Sequence, residues 1–278
     1  MTKLAIIGAG SMCEALISGI VSSKMITKEK ITVTNRGNIQ RLEELSKNYG
    51  IKHSLNIQEM VNDADVIILA MKPKNVKEAI LQWKDFLNED TLIISVLAGV
   101  GMKSIELLIE KKVPIARAMP NTSATVGKSA TGIALNTAVS DSQKAFVIEM
   151  FETVGFATIL EEEQLDAVTG LSGSGPAYIY YLVEAMEKGA TEIGLDRKIA
   201  NELIVQTLMG AAEMIANSSK SPAELRKNVT SPGGTTEAGI KVLDSYNVQT
   251  AFIQCIKEAT TQSVKMGRML SDDLKLTK

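Results

Sequence analysis

The sequence predicts an α/β fold in which a domain with a mostly parallel sheet is followed by an all-helical domain. Short apolar runs alternate with helical stretches in the N-terminal part, and a glycine-rich turn follows the first run. The strand pattern then stops near Glu162. A chain of 278 residues favours two domains, although one large α/β unit is the alternative.

Short runs of aliphatic and β-branched residues predict strands at residues 4–7, 31–34, 66–70, 91–96 and 115–118. The runs are apolar throughout rather than alternating, which is typical of parallel strands covered by helices on both faces. Residues 131–135 and 157–160 are further candidates that would extend the sheet at its edge. We therefore place the first domain at residues 1–161.

The second predicted domain covers residues 162–278. Apolar residues recur at helical spacing over residues 174–193, 196–217, 236–245 and 248–269. These faces are long and contain methionine, which in so small a domain indicates burial against a partner. We expect that partner to be a second copy of the chain.

Composition argues against several classes of protein. The 30 basic and 32 acidic residues leave no excess of charge for binding nucleic acid or an anionic membrane. The apolar runs are far shorter than the ~20 residues that span a bilayer, and no cleavable signal follows the first run. We expect a cytoplasmic protein with small-molecule ligands. Cys13, Cys255 and His53 are too few for a metal site, and both cysteines are expected to be packing residues.

A glycine-rich turn follows the first strand and opens a helix, with the sequence Gly8-Ala9-Gly10-Ser11-Met12-Cys13. The first glycine permits a tight turn, and the second lets a pyrophosphate approach the helix N-terminus. Cys13 takes the third glycine position, where its side chain would loosen helix–strand packing slightly. The pattern predicts a dinucleotide site. The alternative is a glycine turn that has only a structural role and binds no ligand.

The end of the second strand indicates which dinucleotide binds. Thr34-Asn35-Arg36 contains no carboxylate that would bind the ribose hydroxyl of NAD, whereas the Arg36 guanidinium can pair with a 2′-phosphate. NADPH is therefore favoured, with NADH as the alternative, unless Arg36 is simply a solvated arginine. Lys72 follows the strand at 66–70 and is a candidate cofactor contact, or else a solvated loop lysine.

Two segments rich in small residues each begin a predicted helix, at residues 171–177 and 230–237. Free N–H groups at a helix start, with Ser and Thr hydroxyls and no lysine, suit a carboxylate. Ordinary N-caps without a ligand are the alternative.

Together these motifs resemble those of pyrroline-5-carboxylate reductases. The resemblance rests on Gly8-Ala9-Gly10-Ser11-Met12, Ala70-Met71-Lys72-Pro73, Arg117-Ala118-Met119-Pro120-Asn121-Thr122, Leu171-Ser172-Gly173-Ser174-Gly175-Pro176 and Ser231-Pro232-Gly233-Gly234-Thr235-Thr236. It implies NADPH- or NADH-dependent reduction of 1-pyrroline-5-carboxylate to L-proline, the last step of proline biosynthesis. It also implies a Rossmann domain, a helical dimerisation domain, and a homodimer that in some relatives assembles further into a ring.

Matching positions carry the family's site residues onto this sequence. The resemblance implies dinucleotide contacts at Ile7, Gly8, Ala9, Gly10, Ser11, Met12, Asn35, Arg36, Asn56, Ala70, Met71, Lys72, Pro73, Leu97, Ala98 and Asn228. It implies substrate contacts at Glu162, Ser231, Gly233, Gly234, Thr235 and Thr236. The sequence departs from the family pattern at Cys13 and at Ser123, and neither change removes a group that the reaction needs.

The chemistry of a cyclic imine agrees with this residue set. A protonated imine is a strong electrophile, so an enzyme has mainly to hold its carbon against the nicotinamide. The Thr236 hydroxyl is the candidate catalytic group, which would hydrogen-bond the ring nitrogen and orient the ring.

Two other functions fit the same domain plan. A β-hydroxyacid dehydrogenase needs a helical lysine soon after its glycine-rich segment, and here no lysine follows residues 170–176 until Lys188. A non-catalytic regulator would bind the dinucleotide alone, and it would have no need of a carboxylate site such as residues 231–236.

Overall fold

The computed structural model describes residues 2–275, apart from the side chains of residues 270 and 273–275. Within that range one sheet contains β1 (Leu4–Ile7), β2 (Ile31–Thr34), β3 (Lys52–His53), β4 (Val66–Leu69), β5 (Leu92–Ser95), β6 (Ile115–Met119), β7 (Ser129–Leu135) and β8 (Gly155–Ile159). The strand order is β3-β2-β1-β4-β5-β6-β7-β8.

The helices that accompany the sheet are α1 (Ser11–Ser22), α2 (Ile39–Tyr49), α3 (Ile57–Asn62), α4 (Val76–Leu81), α5 (Met102–Ile109), α6 (Asp141–Glu152) and α7 (Leu165–Val168). A π-helical turn at Thr169–Gly173 leads into the remaining helices. These are α8 (Gly175–Glu192), α9 (Arg197–Asn217), α10 (Pro222–Asn228), α11 (Thr235–Ser245) and α12 (Val248–Lys275).

All neighbouring strands pair in parallel except β6 and β7. Residues 120–128 connect that antiparallel pair, and this connection is too short for the crossover that a parallel pair requires. The chain reverses its winding direction at β1, which lies between β2 and β4. Open α/β sheets bind ligands beyond the carboxyl ends of the strands at such a reversal.

Two apolar clusters cover the two faces of the sheet. Leu4 and Ile6 of β1 lie in one cluster, whereas Ala5 and Ile7 lie in the other. Successive side chains of a strand point to opposite faces, so an apolar residue at every position means that both faces are buried. The predicted fold, a mostly parallel N-terminal sheet followed by a helical region, is confirmed.

The chain divides into two compact units, one of residues 2–176 with 257 onward and one of residues 177–256. Helices α8 and α12 each contribute residues to both. The boundary that the sequence predicted between residues 161 and 162 falls just after β8, and it stays a prediction.

The second unit exposes many large apolar side chains. They include Ile179, Tyr180, Tyr181, Leu182, Ile193, Ile199, Leu203, Met209, Met214, Ile215, Tyr246 and Ile253. Cys13 is fully buried, as expected of a packing residue, whereas Cys255 is exposed on the described chain and does not pack within it. Along the described residues, no helix has both the length and the apolar character that crossing a bilayer demands.

Candidate active site

The glycine turn is formed where three strands end. The Gly8 N–H donates to the Thr34 carbonyl at 2.8 Å, and the Ala70 N–H donates to the Ile7 carbonyl at 2.9 Å. Gly8 has φ +120°, and a Cβ added there would lie 2.4 Å from the Ala70 carbonyl oxygen. Glycine is therefore required at position 8 by both its dihedral angle and its neighbour.

Gly10 leaves the start of α1 open. It is the N-cap residue of α1, its conformation is extended, and no side chain caps the helix. The first backbone bond of the helix joins the Glu14 N–H to the Gly10 carbonyl, so the preceding N–H groups lack an intrahelical acceptor. A Cβ added at Gly10 would meet no atom within 4 Å. This open cradle with free donors fits a pyrophosphate.

A cleft of about 870 Å³ lies in front of this turn, within the size range of ligand pockets. It brings together Ile7, Gly8, Ala9, Gly10, Asn35, Arg36, Ala70, Met71 and Lys72 from the set that the sequence identified. The sequence reasoning missed its apolar wall, formed by Ile39, Leu55, Ile57 and Ala79. Leu55 and Ile39 are largely exposed, so they are available to pack on a flat ring.

The Arg36 guanidinium lies close to a carboxylate that comes from a distant part of the sequence. Its Nη1 lies 3.4 Å from Oε2 of Glu78, on α4, and both side chains are mostly exposed. Among the described residues that line the cleft, the charged ones are Arg36, Lys72, Lys74 and Glu78. The cleft therefore has a surplus of positive charge, which favours an anionic ligand.

Arg41 holds the glycine turn from the adjacent helix. Its Nε donates to the Ala9 carbonyl at 3.2 Å, and its guanidinium forms an ion pair with Glu14. The hydrogen bond from Arg41 to Glu14 raises the pKa of Arg41. The Tyr49 hydroxyl donates to Glu14 at 3.2 Å, and burial is the main cause of its raised pKa. No local sequence pattern indicates this support, because the contact joins distant segments.

The other predicted dinucleotide residues do not line the cleft, and some of them are its neighbours in sequence. Ser11 and Met12 start α1, and Pro73 follows Lys72. Asn56 caps α3, where its Oδ1 accepts from the Glu59 N–H at 3.2 Å, and it stands between two residues that line the cleft. Leu97 and Ala98 follow β5, and Asn228 ends α10 in the second unit.

Cys13 lies in the core beneath the turn. Burial raises the pKa of its thiol to about 12. The side chain is therefore a neutral packing group at neutral pH, and a reactive thiolate is excluded.

Glu162 follows β8, and its carboxylate contacts the start of α5 rather than the cleft. Its Oε1 accepts from the Met102 N–H at 2.7 Å and from Nη1 of the buried Arg117 at 3.2 Å. Arg117 also faces Asp166 at 4.0 Å, and Asp166 accepts a hydrogen bond from the Ser263 hydroxyl at 2.6 Å. The Glu162 carboxylate thus accepts a backbone hydrogen bond at the start of α5 and forms an ion pair with Arg117, and the substrate contact predicted for it stays a prediction.

Two of the motifs behind the family resemblance meet in the first unit. Asn121 Nδ2 donates to the Ser172 carbonyl at 3.0 Å, and its Oδ1 accepts from the Ser123 N–H at 3.0 Å. Ser172 belongs to the π-helical turn that precedes α8. The buried amide therefore fixes the loop after β6 against this turn.

The segment at residues 231–236 is a glycine turn that opens α11. Gly233 has φ +71°, and Gly234 is the N-cap residue without a side-chain cap. The Gly233 N–H donates to Oε2 of Glu237 at 2.7 Å, and Glu237 pairs with Lys241 at 3.1 Å. The Gly233 hydrogen bond, more than Lys241, lowers the pKa of Glu237. The turn thus already holds one carboxylate with a backbone donor.

Comparison with known proteins agrees with this arrangement. Residues 162–266 match a family model described as pyrroline-5-carboxylate reductase dimerisation, and residues 3–99 match one described as NADP oxidoreductase, coenzyme F420-dependent. Pyrroline-5-carboxylate reductase 2 of Bacillus subtilis is 44% identical over 96% of this chain and 95% of its own length. The reductase of Staphylococcus haemolyticus is 34% identical over 96% of this chain and 98% of its own length.

Solved structures are similar over the same extent. A pyrroline-5-carboxylate reductase from Coxiella burnetii has a TM-score of 0.88 at 35% identity, covering 95% of this chain and 98% of that one. Pyrroline carboxylate reductase of Plasmodium falciparum, with NADP bound, has a TM-score of 0.88 at 28% identity, covering 96% and 98%. The chain belongs to the pyrroline-5-carboxylate reductase family of NAD(P)H-dependent oxidoreductases.

Proposed function

We propose that this protein reduces 1-pyrroline-5-carboxylate to L-proline, the last step of proline biosynthesis, with NADPH as the hydride donor. The observation that carries the proposal is the 44% identity to a curated reductase over 96% of the chain. The open glycine cradle and the turn at 231–236 support it independently, because they offer donors for a pyrophosphate and for a carboxylate.

Different residues would bind different parts of the dinucleotide. The free N–H groups at the start of α1 would bind the pyrophosphate, and Arg36 would pair with the 2′-phosphate. Leu55 and Ile39 would pack on the adenine. Leu97 and Ala98, after β5, would border the nicotinamide. When bound, the reduced nicotinamide supplies the hydride, and the protein needs no metal ligand for this reaction.

The turn at residues 231–236 would hold the substrate. The N–H groups of Thr235 and Thr236, in the first turn of α11, suit the carboxylate of the imine. The N–H groups of Gly233 and Gly234 already donate to Glu237 and to the Ser231 carbonyl, so these two glycines would shape the turn around the substrate. The Thr236 hydroxyl would donate to or accept from the ring nitrogen and so orient the ring. Thr236 then positions an electrophile that water can protonate, so we expect it to assist rather than to be indispensable.

Membership of this family supports proposals for the assembly and the location of the protein. We propose a homodimer formed through the helical unit, because residues 162–266 match a dimerisation model and the unit exposes large apolar side chains. Association of these dimers into a ring would bury still more surface. We place the enzyme in the cytoplasm. Its proposed ligands are small molecules, and the proposal includes no nucleic acid and no membrane as a partner.

The decisive experiment mixes the purified protein with NADPH and 1-pyrroline-5-carboxylate and follows the absorbance of reduced nicotinamide. Consumption of NADPH with formation of proline is the expected result, and the same assay with NADH measures the cofactor preference. NADPH binding is measured separately by fluorescence. Confirmed binding without turnover would instead favour the dinucleotide-binding regulator.

A further inference from the structure

The Arg36–Glu78 pair bears on how the cleft distinguishes its two cofactors. Arg36 follows β2, where it is expected to receive the 2′-phosphate that separates NADPH from NADH. Its guanidinium is instead paired with Glu78 at 3.4 Å. Glu78 comes from α4, after β4, so the two side chains reach the cleft from different segments.

Glu78 differs from the other charged groups around the cleft. Arg36, Lys72 and Lys74 are cations, and among the described residues lining the cleft Glu78 alone carries a carboxylate. A phosphate and a carboxylate that approach the same guanidinium compete for its donors and also repel each other. NADH carries a ribose hydroxyl at that place, and this hydroxyl can donate a hydrogen bond to a carboxylate.

We propose that Glu78 is a specificity-determining residue that competes with the 2′-phosphate for Arg36 and thereby limits the preference for NADPH over NADH. This inference rests on the proposed use of the cleft for a nicotinamide dinucleotide. In the free protein the Glu78 carboxylate lies within ion-pair distance of the Arg36 guanidinium. NADPH must displace that contact, whereas NADH leaves it intact.

The expected effect is moderate, because both side chains are mostly exposed to water. Exposed ion pairs are weak and are screened by salt, so removal of the competing carboxylate should tighten binding of a 2′-phosphate by about three- to fivefold. The effect should be larger at low ionic strength and should shrink as salt is added. Binding of a nucleotide without the 2′-phosphate should change less than twofold.

The test uses calorimetric binding of adenosine 2′,5′-bisphosphate and of adenosine 5′-monophosphate to the full chain, without any turnover. Glu78→Gln should bind the bisphosphate about three- to fivefold more tightly than the unmodified protein and the monophosphate equally well. Glu89→Gln is the matched control, since it removes the same charge from an exposed loop residue that does not line the cleft.

The variant Arg36→Gln completes a double-mutant cycle. If Glu78 acts mainly by competing for Arg36, Glu78→Gln should improve bisphosphate binding clearly less in the Arg36→Gln background, where only the direct repulsion is relieved. An equal gain in both backgrounds would overturn the proposal, as would an equal gain for both nucleotides or no gain at all. These readings do not depend on imine reduction, so failure of the proposed reaction would be seen separately in the assay with 1-pyrroline-5-carboxylate.

Discussion

Gly8 passes so close to Ala70 that a β-carbon on the glycine would lie 2.4 Å from the Ala70 carbonyl oxygen. The contact joins the turn after β1 to the residue that follows β4, and φ +120° at Gly8 adds a second barrier to any side chain. The backbone path that opens the dinucleotide cleft thus depends on the absence of one atom.

Alanine at the two glycines of the turn should have different consequences. Gly8→Ala forces a strained dihedral angle and a clash with backbone, so we expect it to lower the free energy of unfolding by about 3 kcal/mol or more. Gly10→Ala meets no atom and should cost at most about 1 kcal/mol as an N-cap change. The measurement is urea denaturation of each variant.

Binding then separates the two roles. The new methyl group of Gly10→Ala would occupy the cradle at the start of α1. The affinity of this variant for NADPH should therefore fall by about tenfold or more, which is the scale of one lost hydrogen bond to a charged group. Normal NADPH binding by a folded Gly10→Ala variant would contradict the placement of the pyrophosphate.

Thr236→Ala should lower kcat/KM for 1-pyrroline-5-carboxylate by an amount equal to about 1 to 3 kcal/mol of transition-state stabilisation. The reason is loss of one hydrogen bond to the ring nitrogen. Thr236→Ser keeps the hydroxyl and should recover most of the rate. Steady-state kinetics check both variants, and an unchanged kcat/KM in Thr236→Ala would remove Thr236 from the mechanism.

The buried Cys13 thiol should make the protein sensitive to alkali. Its pKa is raised by burial from 9.0 to about 12 in the folded chain. The neutral thiol therefore contributes stability that is complete below pH 9 and is lost as the pH rises from 9 towards 12. At about pH 10.5 the loss should reach about 2 kcal/mol, and at about pH 8 it should be negligible.

Cys13→Ala isolates this contribution from the titration of lysines and tyrosines. The difference in unfolding free energy between the variant and the unmodified protein should shift by the same ~2 kcal/mol between about pH 8 and pH 10.5. A difference that does not vary with pH would show that the thiol has an ordinary pKa. Alkylation in a Cys255→Ala background gives a second readout, because Cys13 should react only after unfolding.

Glu162→Gln should destabilise the first unit, because the Met102 N–H and the buried Arg117 would lose their charged acceptor. We expect a loss of about 1 to 3 kcal/mol, measured by urea denaturation at fixed protein concentration. The neighbouring, exposed Glu163 provides the control, since Glu163→Gln should change stability by less than about 0.5 kcal/mol. Equal stability of the two variants, with a raised KM in Glu162→Gln alone, would instead favour the substrate contact that the family resemblance implies.

The sheet was predictable because its strands are short apolar runs buried on both faces. Among the described strands, β3 is the one to which the sequence assigned no bounds, because it contains only Lys52 and His53, which are exposed and carry no apolar pattern. Helix α10 was hidden within a polar break. Its capping box, formed by Ser221 and Glu224 with Pro222 at the first turn, is a signature that could have located it.

The dinucleotide site was predictable in part. Residues 7–10, 35–36 and 70–72 could be identified because each follows a strand, and parallel strands bring their carboxyl ends together. Glu78 and Arg41 could not, because each acts through a long side chain on a helix, and local sequence does not determine which way such a chain turns. The exposure of Cys255 was missed because an amphipathic pattern does not say whether its face is covered by the same chain.

The second half of α12 belongs to the same compact unit as the sheet. There the Ser263 hydroxyl donates a hydrogen bond to Asp166, and the Ser271 and Ser104 hydroxyls lie 3.2 Å apart. Gly267 also approaches Gly99 closely, since a Cβ on Gly267 would lie 3.0 Å from the Gly99 carbonyl oxygen. These partners are synthesised long after the sheet, because residues 177–256 are added to the chain in between. During synthesis the sheet unit therefore lacks the groups that contact Asp166 and the loop at Gly99, and translation that terminates before residue 257 would yield a chain whose first unit is incomplete.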